Sequence, residues 1–133
     1  MVALIDASVL IAAERGQLDL DVLGGKGDSL DLAIAAVTAS ELLHGVHRAP
    51  EPERRAKREA FVERLLVALP VLSFDLTAAR IHARIWADLA SQGVSVGAHD
   101  LLIAATAMAS GCSLVTRDQR SFPRIPGLTL FAW

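Results

Sequence analysis

Short apolar runs alternate along the chain with longer stretches in which apolar residues recur at helical spacing. Runs of four to six residues that are apolar throughout are typical of strands buried on both faces of a sheet, because an exposed face would place polar residues at every second position. On this basis the sequence predicts five strands, at residues 2–5, 32–37, 71–74, 113–116 and 128–131.

Between these runs the apolar spacing changes to that of helices. In the segment 53–69, for example, Val62 and three leucines fall on one helical face and Arg and Glu side chains on the other. The segment 97–110 is apolar nearly all round, which predicts a buried helix, and Gly111 is expected to end it. The predicted helices are 7–14, 39–48, 53–69, 76–90 and 97–110.

The order of these elements predicts an α/β fold. Strands separated by helices pair in parallel, and helices then cover both faces of the sheet. The 133 residues fit one domain, and no repeat or linker divides them. We therefore expect a single domain over residues 1–133, with a central parallel sheet of about five strands sandwiched by helices. In such sheets ligands bind at the carboxyl ends of the strands.

Four carboxylates are expected near that edge of the sheet. Asp6 directly follows the first strand, and Asp118 lies two residues beyond the fourth. Glu41 falls in the first turn of the helix after the second strand, and Asp100 in the first turn of the buried helix. Like charges gathered in one pocket repel strongly unless a cation lies among them.

Each acid also has a purely structural interpretation. Asp6 could cap a helix, and the segment 38–41 (TASE) matches a capping box. Asp100 could interact with a helix dipole, and Asp118 could form a turn. A buried, almost wholly apolar helix nevertheless has little reason to carry an acid beside a packed sheet, so the four acids together favour a cation site.

The residue types indicate which cation and which chemistry. Oxygen ligands without a cluster of Cys or His favour Mg²⁺ or Mn²⁺ over zinc. Ions held by carboxylates are a common device for cleaving phosphodiesters, because they activate a water and stabilise the charge that develops on the attacking and leaving oxygens. The sequence thus predicts metal-dependent hydrolysis of a phosphodiester.

Four segments resemble the motifs of the PIN-domain family, and in particular of VapC-type toxins. The opening VALIDASVL is similar to the family's first motif, a strand that ends in Asp with a Ser or Thr two residues on. VTASELLHG resembles the second motif with its central Glu, and VGAHDLLIAATAMASGCSLVTRDQRSF resembles the third and fourth. The closing IPGL is also typical of VapC-type toxins. Together these motifs span nearly the whole chain in the expected order.

This resemblance implies a PIN fold and a ribonuclease that depends on Mg²⁺ or Mn²⁺ and cleaves RNA. It also implies a homodimer that is inhibited by a cognate VapB-type antitoxin, of which an Arg, a Lys or a bulky apolar segment would reach the acid pocket. Ser8 and Thr116 match the hydroxyl positions, where they would orient a water or a neighbouring carboxylate. The acids that match the catalytic and metal-binding positions are Asp6, Glu41, Asp100 and Asp118.

Charge and composition agree with this interpretation. The net charge is only −2, but eight of the thirteen basic residues fall in the segment 48–84. A polyanion would have to approach this segment, or be bridged by metal to the acidic residues of 1–41. Arg117 and Arg120 flank Asp118 and are placed to hold a scissile phosphate. The single cysteine, Cys112, allows no disulfide, and no apolar stretch is long enough for a membrane span, so we expect a cytoplasmic protein.

Two other functions stay open at this point. The first is a PIN-like RNA-processing nuclease without an antitoxin, and the second is a catalytically inactive binding module of the same fold. No nucleophile-elbow pattern supports a serine hydrolase. His44 and His47 alone make a poor metal site, whereas His99, beside Asp100, could contact the substrate.

Overall fold

The first strand lies inside a parallel sheet, with helices packed on both of its faces. The structure, a computed structural model, describes residues 2–20 and 31–131. Its strands are β1 (Val2–Ile5), β2 (Asp31–Ala35), β3 (Val71–Leu72) and β4 (Ser113–Val115). Its helices are α1 (Ala7–Glu14), α2 (Ala36–Arg48), α3 (Pro52–Ala68), α4 (Leu76–Ser91) and α5 (Ala98–Ala109), with a 3-10 turn at Phe122–Arg124.

The strands are arranged in the order β3-β2-β1-β4 and all pair in parallel. This confirms the predicted α/β fold with its central parallel sheet. The sheet has four strands rather than about five, because the segment 128–131 contributes, in the part of the chain described, only a single parallel bridge between Leu114 and Leu130. Leu114 alone exchanges hydrogen bonds with that segment, donating to the Thr129 carbonyl and accepting from the Phe131 amide.

Alternate residues of β1 enter two separate apolar cores. Leu4 belongs to the core on the face covered by α4 and α5, together with Ile85 and Ile103. Ala3 and Ile5 belong to the core on the other face, which is covered by α1, α2 and α3. Because successive strand residues point to opposite faces, a strand buried on both sides reads as a continuous apolar run.

Helix α2 begins three residues earlier than the sequence predicts. Its N-cap is Ala35, which makes no side-chain capping bond, and Thr38 is fully buried inside the helix. The structural interpretation of 38–41 as a capping box is therefore wrong, and Glu41 lies in the second turn rather than in the predicted first turn. The apolar run 32–37 misled the boundary because a strand and the buried first turn of a helix look alike over so few residues.

The buried helix α5 is confirmed, with six fully or nearly fully buried residues between Leu101 and Ala107. Gly111 follows its C-cap with a positive φ of 66°. The Cys112 amide then donates to the Ala107 carbonyl at 2.9 Å, which closes the helix end. Among the helices of the described ranges, none is both long and apolar enough to cross a bilayer.

Candidate active site

The candidate site lies at the topological switch point of the sheet, between the carboxyl ends of β1 and β4. From β1 the chain continues to β2 on one side, whereas β4 pairs with β1 on the other. In an open parallel sheet this division leaves a crevice in which ligands bind. The Asp6 amide donates to the Val115 carbonyl at 3.1 Å and so ties the end of β1 to the end of β4.

Asp6 occupies this crevice and is 4% exposed. It is the N-cap of α1, and its Oδ1 accepts hydrogen bonds from the Ser8 hydroxyl at 2.6 Å and the Val9 amide at 3.3 Å. Its Oδ2 accepts a hydrogen bond from the Thr116 hydroxyl. Burial raises the pKa of Asp6, and these hydrogen bonds act in the opposite direction. The capping interpretation of Asp6 thus holds, but capping alone leaves the bond from Thr116 unexplained.

Two hydroxyls connect the carboxylate of Asp6 to the loop after β4. Ser8 donates to Oδ1 and accepts from the Arg117 amide at 3.1 Å. Thr116 donates to Oδ2 and accepts from the Asp118 amide at 2.9 Å. Both residues therefore orient a neighbouring carboxylate, which is one of the two roles that the sequence suggested for them.

Glu41 approaches the site from α2 and is held on one side only. Its Oε2 lies 3.6 Å from His99 Nδ1, whereas its Oε1 is buried and has no hydrogen-bond partner in the structure. Burial raises the pKa of Glu41; His99 lowers it, and the charges of Asp100 and Asp6 raise it further. The pKa of Glu41 therefore responds to the charges of both aspartates.

Asp100 lies in the first turn of α5, as predicted. Gly97, the N-cap residue, makes room for it, since a Cβ built on Gly97 would come within 3.3 Å of Asp100 Oδ2. Burial raises the pKa of Asp100, followed by the charges of Asp118 and Asp6, while the Ser121 hydroxyl lowers it. Asp100 is thus the acid whose pKa responds to the charges of both Asp6 and Asp118.

Asp118 forms a turn with its own carboxylate. Its Oδ1 accepts hydrogen bonds from the Arg120 amide at 2.8 Å and the Ser121 amide at 3.1 Å. The bond from the Arg120 amide is the main reason that the pKa of Asp118 is lowered. Its structural interpretation is therefore correct, while its charge also acts on Asp100.

The charges of neighbouring acids raise the pKa values of Glu41 and Asp100, but the four acids do not form a complete coordination shell for a metal. Over residues 2–20 and 31–131, no three His, Cys, Asp or Glu side chains stand together as a ready-made metal site. The donor set still fits a hard divalent cation, because it consists of carboxylate oxygens and includes the buried, unpartnered Oε1 of Glu41.

Comparison with known proteins identifies the family. The sequence model of the PIN domain matches residues 3–128. The chain belongs to the PIN-domain family. This PIN domain is 38% identical over 125 residues to the ribonuclease VapC1 of Rickettsia felis, covering 94% of this chain and 91% of that protein. It is 37% identical over 102 residues to the tRNA(fMet)-specific endonuclease VapC of Salmonella typhimurium, covering 77% and 75%.

Solved structures of related proteins share the fold of this PIN domain. A DNA-bound VapBC complex from Salmonella typhimurium superposes with a TM-score of 0.86 at 30% identity, covering 98% of this chain and 97% of that one. VapBC2 from Rickettsia felis, bound to a DNA fragment from its promoter, also gives a TM-score of 0.86, at 25% identity and with 100% and 99% covered.

A groove of about 610 Å³ runs from Glu41 of this PIN domain between α1, α2 and α3. Glu41 and His99 both line it, so the groove is continuous with the candidate site. Its lining combines apolar and cationic side chains, among them Ile11, Leu42, Phe61, Arg15, Arg48 and Arg58.

The two arginines that flank Asp118 differ in their surroundings. Arg117 Nη1 donates to Gln17 Oε1 at 3.2 Å, which directs the guanidinium toward the end of α1. Arg120 is exposed, and its charge helps to lower the pKa of Asp118. Of the two arginines, Arg120 is therefore the one whose charge acts on the pKa of Asp118.

Sequence reasoning missed two contacts of this PIN domain. Ser121 acts on the pKa of both Asp100 and Asp118, and its spacing of three residues from Asp118 was the available signal. His99 contacts Glu41, and no sequence pattern indicated this contact because it depends on how α2 and α5 pack.

Proposed function

We propose that this PIN-domain protein is a metal-dependent endoribonuclease and the toxin of a type II toxin–antitoxin pair. The observation that carries the proposal is the buried carboxylate of Asp6, held by two hydroxyls at the strand-end crevice and within electrostatic reach of Glu41 and Asp100. The similarity to VapC ribonucleases over most of the chain supports RNA as the substrate.

Mg²⁺, with Mn²⁺ as an alternative, is the cation that we propose for this site. Asp6, Glu41 and Asp100 would hold it, and Asp118 would contribute from the edge, since its Oδ1 already accepts two amide hydrogen bonds. When bound, such an ion activates water and stabilises the negative charge of the transition state.

The chain's own residues supply orientation, phosphate binding and a base. Ser8 and Thr116 fix both oxygens of Asp6, so that the carboxylate keeps one orientation. We infer that Arg120, and Arg117 after release from Gln17, hold the scissile phosphate by charge-assisted hydrogen bonds. Glu41 or Asp100 would also accept the proton of the attacking water, since a carboxylate within hydrogen-bond reach of that water can act as its general base.

Transfer RNA is the first substrate to test. A relative 37% identical to this chain is named a tRNA(fMet)-specific endonuclease. The described residues present no aromatic platform at the site on which bases could stack, since the cavity lining there contains only Phe61 among Phe, Trp and Tyr. We therefore expect recognition of a folded RNA through its backbone rather than reading of single-stranded bases.

The groove suggests how a VapB-type antitoxin would inhibit the enzyme. An antitoxin segment with apolar side chains would cover Ile11 and Phe61, and a Lys or Arg from it would reach Glu41, at the end of the groove nearest the acids. Solved relatives of this fold are VapBC complexes, which favours this reading over an RNA-processing nuclease without an antitoxin.

Expression in bacterial cells followed by mapping of new RNA 5′ ends tests the proposal. Wild-type protein should create discrete new 5′ ends in a small set of RNAs, and Asp6→Asn should create none. Unchanged RNA ends in cells that accumulate folded wild-type protein would favour a catalytically inactive binding module instead.

A further inference from the structure

One contact beside the acids joins side chains from two different helices. His99, in the first turn of α5, places its Nδ1 3.6 Å from Oε2 of Glu41 in α2. In the described ranges no other basic side chain lies within ion-pair distance of Glu41. The distance is longer than a hydrogen bond, and shortening it to about 2.9 Å would make it one.

The two oxygens of Glu41 have different surroundings. Oε2 faces His99, whereas Oε1 is buried and has no hydrogen-bond partner among residues 2–20 and 31–131. Thr38 Oγ1 is the only other buried side-chain polar atom of the described residues in that condition. An unsatisfied buried polar atom destabilises the folded state, so an arrangement that keeps Oε1 without a partner calls for a functional reason.

We propose that His99 is a positioning residue for Glu41, which holds Oε2 so that Oε1 stays available to bind the divalent cation. The inference rests on the proposed function, in which Glu41 is a metal ligand. Partners of metal ligands fix the ligands' orientation, and this raises affinity for the metal. A glutamate side chain otherwise loses conformational entropy when it is fixed, and a contact that orders it beforehand removes part of that cost from binding.

The position of His99 fits this role better than the role of a ligand or a substrate contact. Its side chain is 61% exposed, but its Nδ1 is directed to Glu41. Mg²⁺ and Mn²⁺ prefer oxygen ligands, so the imidazole adds little as a ligand. Because His99 is exposed, its replacement should leave the fold intact.

The test is the affinity of the full chain for Mn²⁺ alone, measured by titration calorimetry without RNA. His99→Phe keeps a ring but removes the donor, and His99→Asn places an amide N–H near the position of Nδ1. His47→Phe is the matched control, since His47 is an exposed residue of the same helix as Glu41. We expect His99→Phe to weaken Mn²⁺ binding by about tenfold and His99→Asn to remain within about threefold of wild type. The His47→Phe variant should bind like wild type.

Two results would overturn the inference on its own. One is a His99→Phe variant with wild-type affinity, and the other is a His99→Asn variant that binds as weakly as His99→Phe. If wild-type protein itself binds no Mn²⁺ at millimolar concentration, the metal-dependent function fails, and the inference fails with it. The affinity of wild type therefore separates the two failures.

Discussion

Thr116 donates its hydroxyl hydrogen to Oδ2 of Asp6, although 110 residues separate the two in the sequence. The same hydroxyl oxygen accepts a hydrogen bond from the Asp118 amide. One side chain thus fixes the orientation of a buried carboxylate and the start of the loop that carries another acid. The pairing of β1 with β4 brings these residues together.

Removal of this hydroxyl should affect both stability and activity. Thr116→Val leaves Oδ2 of Asp6 without this donor and the Asp118 amide without this acceptor, which should cost about 1–3 kcal/mol of unfolding free energy. Because Asp6 then loses its fixed orientation, we also expect RNA cleavage to fall by about 10–100-fold. Chemical denaturation and initial cleavage rates measure the two effects. Thr116→Ser retains the hydroxyl and should recover most of both; a serine variant as impaired as the valine variant would argue against the hydrogen bond.

The stability of the metal-free protein should rise when Asp100 is made neutral. Burial and the charges of Asp118 and Asp6 raise the pKa of Asp100, so the folded state binds its proton more tightly than the unfolded state. For such a group, stability falls as pH rises from the unfolded pKa through the folded one. At neutral pH with a chelator, Asp100→Asn should therefore melt about 2–5 °C higher than wild type. The gain should shrink toward about pH 4, where the wild-type carboxyl is partly protonated.

Asp118→Asn is the matched variant with the opposite sign. The Arg120 amide lowers the pKa of Asp118, so its contribution to stability is present above the unfolded pKa and is lost as pH falls through the folded one. This variant should melt lower than wild type at neutral pH, and the difference should fade in acid.

Added Mg²⁺ should stabilise wild type more than Asp100→Asn, because binding to the native state adds stability by mass action. Equal metal shifts, together with a chelated Asp100→Asn variant that melts no higher, would contradict a crowded carboxylate site.

The groove should be the surface that the antitoxin covers. Ile11 lines it and is 38% exposed, whereas Val67 is 88% exposed on α3 and does not line it. Ile11→Asp should weaken binding of the cognate antitoxin by at least about tenfold, which corresponds to about 1.4 kcal/mol. Val67→Asp, the same change at another exposed apolar position, should bind normally. Surface plasmon resonance with both variants, after thermal melting has verified their folding, decides between the groove and another interface.

A homodimer is expected from the resemblance to the family, and the surface of the described residues offers apolar area for it. Leu76 is 66% exposed and Trp86 60% exposed, although both are large apolar residues of α4. Light scattering across micromolar concentrations should give the mass of two chains. A monomer mass throughout that range would defeat the expectation.

Local sequence patterns predicted the parallel sheet and the strand-end positions of Asp6 and Thr116, because a few neighbouring residues suffice to encode each of these features. The apolar run that ends in Asp6 places this acid at a strand end, and the run before Thr116 does the same for that residue. Once the strands are taken as parallel, both ends meet at one edge. This reasoning needs only the period of the apolar residues and the direction of the strands.

The packing between helices could not be predicted from local sequence patterns in the same way. The start of α2 was misplaced because Ala36 and Val37 continue the apolar run of β2 without a polar break. The contact between His99 and Glu41 depends on the angle and separation of α2 and α5, which no residue spacing encodes. The prediction of a fifth strand was wrong for a related reason, since an apolar segment beside the edge of a sheet need not pair with it along its whole length.

The central claim is tested most directly by the initial rate at which purified protein cleaves transfer RNA, with saturating Mg²⁺ and with a chelator. Wild type should cleave only with the metal. Asp6→Asn should lose at least the factor of about 100 that even an outer partner of a metal site can contribute, while remaining folded, since Asn can also cap α1. Asp31→Asn, the same change at an exposed residue that begins β2 at the opposite edge of the sheet, should cleave at the wild-type rate. A near-normal rate for Asp6→Asn at saturating Mg²⁺, or equal wild-type rates with and without chelator, would contradict the account.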